Sequence, residues 1–199
     1  LMKTNKRKIT DNMQDLGALI ALVLLVVGIS IVSPEFRTWS NFLSLLRQSS
    51  INGLIAFGMT CVILTDAIDL SVGSVLALST ALCAGMITNG VPAGAAMLLA
   101  LVIGAGLGAV SGLLVTKGRL QAFIATLITM TVYRGATMIF TGGKPISNLG
   151  DSFVLKLVGR GNFYRIPIPV ILLLLIFAGF YFLLNKTTFG RAVYATGSN

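Results

Sequence analysis

The sequence contains no histidine, only two cysteines and one tryptophan, and six acidic residues against fifteen basic ones. The missing histidine excludes imidazole general bases, Ser-His and Cys-His nucleophiles and histidine metal ligands. Cys61 and Cys83 both lie in apolar runs, where a thiol packs as a small side chain, so nothing suggests a disulfide scaffold. Charged residues make up 11% of the 199 positions and apolar ones 55%. A soluble domain carries about 25% charge, so a soluble fold of this size could not cover its surface. Disorder and a collagen-like repeat are excluded on the same composition. A polytopic membrane protein remains.

The uncharged stretches supply the architecture. They are Leu16–Pro34, Gln48–Thr65, Leu70–Thr116 and Ile166–Asn185, and Leu120–Gly143 is apolar apart from Arg134. A spanning helix needs about 20 apolar residues, so Leu70–Thr116 holds two crossings, with Asn89-Gly90-Val91-Pro92 as the turn between them. No segment alternates with period two like a barrel strand, and backbone in lipid must satisfy itself internally. The expectation is an all-α domain over residues 1–199 with about six transmembrane helices. The first run, with Lys3, Lys6, Arg7 and Lys8 before it, also has the outline of a signal peptide. It is long, no small-residue cleavage pattern follows, and Pro34-Glu35-Phe36 comes next, which favours an anchor.

Orientation follows from the basic residues. With the N-terminus inside, six crossings put Lys3, Lys6, Arg7, Lys8, Lys117, Arg119, Lys186 and Arg191 on the inner side. Arg37, Arg47, Lys144, Lys156, Arg160 and Arg165 fall outside. The excess is small, and the dense N-terminal cluster decides for N-in, C-in. The basic balance is thus loop charge, and nucleic acid is not an expected partner. Thr38–Ser50 places Trp39, Phe42 and Leu46 on one helical face, suiting a short interfacial helix. Gly142–Arg165 reads as a long outer loop, the kind that is functional or mobile.

Several constellations stand out. Ala100, Gly104, Gly108 and Gly112 recur every four residues along the fourth helix, as Ala77, Ala81 and Gly85 do along the third. Small-xxx-small faces let helices approach closely in lipid. Gly104-Ala-Gly106-Leu-Gly108 has the outline of a dinucleotide fingerprint but follows no strand, and Gly142-Gly143-Lys144 lacks the rest of a phosphate-binding loop. No nucleotide or other cofactor is expected. Asp66 and Asp69 interrupt two apolar runs, either as a turn with Asp69 or Ser71 capping the next helix, or as part of a polar pathway. An aspartyl-protease pairing would need two converging carboxylates, which one short segment does not supply. Arg134 either snorkels to the headgroups or lines a polar cavity. Thr126, Thr129, Tyr133 and Thr137 form a polar stripe facing a neighbouring helix or an aqueous path.

Ile68-Asp69-Leu70-Ser71-Val72-Gly73-Ser74, preceded by Gly58-Met59-Thr60 and Ile63-Leu64-Thr65, resembles the signature of bacterial ABC-importer permeases for simple sugars of the ribose type. Lys117 to Leu127, Tyr133-Arg134-Gly135 and Thr141-Gly142-Gly143 are similar to the same family. Thr188, Gly190, Arg191, Tyr194, Gly197 and Asn199 look like the start of its ATPase-coupling region. The chain departs from the pattern at Ala67, where Gly is common, and at Asp66, where a small residue is usual. The resemblance implies a non-enzymatic transport subunit in the bacterial inner membrane. Its partners would be cytoplasmic ATPase subunits, a periplasmic or lipid-anchored sugar-binding protein and a second permease subunit, with Asp66, Asp69 and Arg134 near the pathway. The family continues past the coupling loop, so the chain is expected to be an N-terminal portion. An ion-coupled transporter or channel, and an inactive fragment, are the competing readings.

Overall fold

A computed structural model describes the backbone of residues 2–197, with side chains from residue 16 onward except Arg160. Its elements are α1 (Met2–Val32), a 3-10 turn (Pro34–Arg37), α2 (Trp39–Leu64), α3 (Val72–Thr88), α4 (Ala93–Thr116), α5 (Ala122–Thr141), α6 (Phe153–Arg160), β1 (Asn162–Phe163), β2 (Ile166–Pro167), α7 (Ile168–Lys186) and α8 (Thr188–Gly197). The architecture is all-α save one two-residue hairpin, which pairs Phe163 with Ile166. The chain forms two compact units, 1–46 and 47–199, divided within α2.

In the first unit Ser33 and Pro34 end α1, because proline cannot continue the hydrogen-bond ladder. The Thr38 hydroxyl then accepts the Asn41 amide at 3.2 Å, an N-cap for α2, and the Trp39 and Phe42 rings meet tilted at 33°, their centroids 5.3 Å apart. The expected short helix over Thr38–Ser50 is in fact the first half of the 26-residue α2. Ser49-Ser50-Ile51-Asn52 contains neither proline nor glycine, so nothing there stops a helix already capped at Thr38.

The second unit is organised on α3, which packs on α4 and α5. Three helices end alike, with a residue in the left-handed region and two bonds back to the last turn, the Schellman arrangement. Gly90 (φ +89°) ends α3 and Gly142 (φ +61°) ends α5. At the end of α2 the same place is held by Asp66 (φ +57°), whose amide bonds the Ile63 carbonyl at 3.0 Å while the Ala67 amide bonds Val62 at 3.2 Å.

Among the described residues three helices, α4, α5 and α7, are long and apolar enough to cross a membrane, and Leu16–Val32 and Val72–Thr88 are apolar but shorter. Large apolar side chains on α4, α5 and α7 face outward, Leu101 and Ile139 among them, while the buried positions of α3, α4 and α5 are largely small or hydroxylic. That inversion suits a lipid environment, in which apolar burial between helices gains little. The segment expected as a long loop, Gly142–Arg165, contains α6 and starts the hairpin. Ser152 precedes α6, and Phe153, Val154 and Leu157 give it an apolar stripe. The guanidinium of Arg47 on α2 donates to Asn162 Oδ1 at 2.9 Å, tying α2 to the hairpin.

Candidate functional site

The link between α2 and α3, residues 67–71, carries no regular secondary structure and lies inside the ends of α4 and α5. Its first contact is the Thr126 hydroxyl, one turn into α5, which donates to the Ile68 carbonyl at 3.2 Å. Ser71, fully buried, stands 3.5 Å from Ser111 of α4, whose hydroxyl donates to Thr129 of α5 at 3.0 Å. Thr129 lies seven residues beyond the start of α5, about 10 Å along the axis at 1.5 Å per residue. The α3 N-terminus therefore opens well inside the bundle.

Asp69 organises that N-terminus. Its Oδ1 accepts the Ser71 amide and the Ser71 hydroxyl, each at 2.7 Å. A carboxylate there satisfies an otherwise unpaired donor and faces the positive end of the α3 dipole. The Ser74 hydroxyl turns back to the Ser71 carbonyl at 2.7 Å, completing the first turn. Asp66 plays a different part. It is exposed, on the turn that ends α2, and is not drawn into the Asp69 cluster.

Two cavities flank this segment. The smaller, of about 210 Å³, is lined by Ala67, Ile68 and Asp69 with Gly108, Ser111 and Gly112 of α4 and Ala122 and Thr126 of α5. The larger, of about 440 Å³, lies between α3 and α5, lined by Leu70, Gly73, Ser74 and Ala77 on one side and Met130, Arg134, Thr137 and Met138 on the other. The α5 polar stripe divides between these surroundings. Thr126, Thr129 and Tyr133 are buried against α3, α4 and the link, the Tyr133 hydroxyl donating to the Leu107 carbonyl at 2.9 Å. Thr137 opens on the larger cavity beside Arg134.

Of the three glycines expected to smooth α4, Gly104 faces Ser79 of α3, 3.8 Å from where a Cβ would stand. Gly108 and Gly112 have open space above them and border the smaller cavity. Close approach occurs at Gly85 instead, against Phe140. Ser111, whose hydroxyl links the α3 start to α5, escaped the sequence reading. Its signal was a hydroxyl inside an uncharged helix, immediately before Gly112.

At the C-terminal end of the described residues, α8 folds back on α7 with Thr187 as its N-cap, the hydroxyl accepting the Gly190 amide at 3.3 Å. A Cβ on Gly190 would meet the Leu184 carbonyl, and one on Gly197 the Leu64 carbonyl at the end of α2. The same helix leaves Thr188, Arg191 and Tyr194 exposed. Asn199 lies outside the described residues. Among the described residues no three metal-ligating side chains come together.

Residues 41–199 match the permease family described as "Branched-chain amino acid transport system / permease component". The chain is 54% identical over 94% of its length to the ribose import permease protein RbsC of Bacillus subtilis, of which it covers 58%. It is 45% identical over 90% of its length to the Haemophilus influenzae protein of the same name, covering 56% of it. Similarity extends to the autoinducer 2 import system permease protein LsrC of Yersinia enterocolitica, at 37% identity over 98% of this chain and 54% of that one. The chain thus spans little more than half the length of these relatives. No solved structure matches it.

Proposed function

The chain belongs to the permease-component family of branched-chain amino acid transport systems, and from that membership we propose that it is the membrane-spanning subunit of an ATP-binding-cassette importer for a monosaccharide, ribose or a related sugar. The observation that carries this reading is the 54% identity, over nearly the whole chain, to a protein named as a ribose import permease.

In this reading residues 1–199 form one transmembrane domain of six crossings, α1 to α5 and α7, with both termini on the inner side of a bacterial inner membrane. The end bearing α8, the 117–121 turn and the start of α3 is then cytoplasmic. The exposed face of α8, with Thr188, Arg191 and Tyr194, docks on the ATPase, and Gly190 and Gly197 let that helix lie against α7 and α2. Asn199 extends the same coupling region. Closure of the ATPases pushes α8, which leans on the Asp66 turn, and moves the Ile68–Ser74 segment between α4 and α5. A second permease subunit completes the pathway, and a binding protein delivers the sugar from outside. Gly104 lets α3 lie close on α4, while Gly108 and Gly112 leave room for the smaller cavity beside the link.

The permease hydrolyses nothing and needs no cofactor. The test is ATP hydrolysis by the purified chain in detergent without partners. None is expected, and measured turnover would contradict the assignment of the motor to a separate polypeptide.

A further inference from the structure

Arg134 is the thirteenth of the twenty residues of α5, within about 4 Å of the helix midpoint at 1.5 Å per residue. A charge at that depth is costly in lipid, so it needs a polar surrounding. Among the described residues it makes no hydrogen bond or ion pair, the one salt bridge joining Lys156 and Asp151. Arg134 lines the 440 Å³ cavity between α3 and α5.

The other polar groups of that cavity have their protons committed. The Ser74 hydroxyl donates to the Ser71 carbonyl at 2.7 Å, and the Thr137 hydroxyl donates to the Tyr133 carbonyl at 2.8 Å. Each oxygen keeps lone pairs that face the cavity as acceptors only, while Arg134 has five N–H donors and no acceptor. The cavity thus pairs a forked donor on α5 with one acceptor on the facing α3, Ser74, and another beside it on α5, Thr137. No carboxylate lines it, which disfavours a cation. An anion that carries no proton, such as sulfate, would engage the guanidinium but leave the two hydroxyl oxygens without donors. An alcohol both donates and accepts, so a molecule with adjacent hydroxyls satisfies both sides. The volume lies within the range of small-molecule sites and above what one pentose fills.

We propose that this cavity is a binding station for the sugar in transit, in which Arg134 holds two adjacent hydroxyls while Ser74 and Thr137 accept from others. The inference rests on the importer reading and adds to it the site and the feature selected, a vicinal diol.

The test uses the protein in lipid nanodiscs, with Cys61 and Cys83 replaced by alanine and a cysteine introduced by Met138→Cys at the cavity wall. The rate of its alkylation by a neutral maleimide is followed against ribose, 2-deoxyribose and inorganic phosphate. Ribose is expected to slow alkylation, 2-deoxyribose to need a concentration about tenfold higher, and Arg134→Met to remove that tenfold preference together with most of the protection. Arg134→Lys, which keeps the charge but not the fork, is expected to restore part of the protection and little of the preference. Protection by ribose that is unchanged in Arg134→Met would overturn the station and leave the importer reading standing. Protection by phosphate and not by ribose would overturn the choice of ligand. Protection by no sugar at all, in a protein that also fails to support ribose uptake with its partners, would overturn both.

Discussion

The ring of Phe140 of α5 points its tip at Gly85 of α3, with the ring Cζ 2.6 Å from where a Cβ on residue 85 would stand. The two helices therefore meet ring to backbone at the end opposite the Asp69 cluster. Gly85→Leu is expected to cut the yield of folded protein in the membrane, because a branched side chain cannot share the space of the ring. Phe140→Ala should restore much of that yield in the double variant while being mild alone. Equal losses in the single and double variants, measured by fluorescence-detected size exclusion, would show that the contact does not hold the helices.

The Asp69 cap makes a second prediction. Asp69→Ala leaves the amide and hydroxyl of a fully buried Ser71 without their acceptor and should cost about 1–3 kcal/mol. Asp69→Asn keeps a side-chain oxygen in place and should cost less. Thermal unfolding in detergent compares the two, and equal midpoints for both variants and the parent would remove the capping role.

Asp66 should behave oppositely. Glycine takes its left-handed conformation without penalty, so Asp66→Gly is expected to hold stability or raise it by up to about 1 kcal/mol. Asp66→Val should cost about 1–2 kcal/mol, since a β-branched residue resists that region. Under the importer reading Asp66→Gly also keeps sugar uptake, whereas a proton-carrying Asp66 would lose it.

Tyr133→Phe removes one interhelical bond, to the Leu107 carbonyl. Such bonds average about 0.6 kcal/mol inside membranes, so a small fall in the unfolding midpoint is expected. A drop several times larger would mean that the hydroxyl anchors more than α4.

The faces of α8 separate folding from coupling. Gly190→Val is expected to abolish folded protein through its clash with the Leu184 carbonyl. Arg191→Glu changes only an exposed side chain; it should leave the fold intact and weaken binding of the ATPase subunit in a pull-down. Equal effects of the two on folding would contradict the assignment of faces.

Much of this was legible from residue spacing. Asn89-Gly90-Val91-Pro92 carries the left-handed glycine and the proline that a helix-to-helix turn requires, and the structure turns there. The hydroxyls of α5 were visible as a stripe, but whether Thr126 or Thr137 meets a helix or a cavity depends on where α3 starts. That start is set by Asp69, Ser71 and Ser111, which converge from positions forty residues apart, and no local pattern encodes such a meeting. Gly108 and Gly112 have the same spacing as Gly104, yet only Gly104 has α3 across from it, because α3 begins late and leaves a cavity beneath them. The long α2 was missed because its first half is polar, although a break needed a glycine or proline that the sequence does not place there.

The most direct test is uptake of labelled ribose into sealed vesicles carrying this permease with its ATPase subunits and binding protein. The account predicts accumulation that requires ATP and the binding protein and persists when an ionophore collapses the proton gradient. Uptake that ignores ATP and stops with the gradient would contradict it.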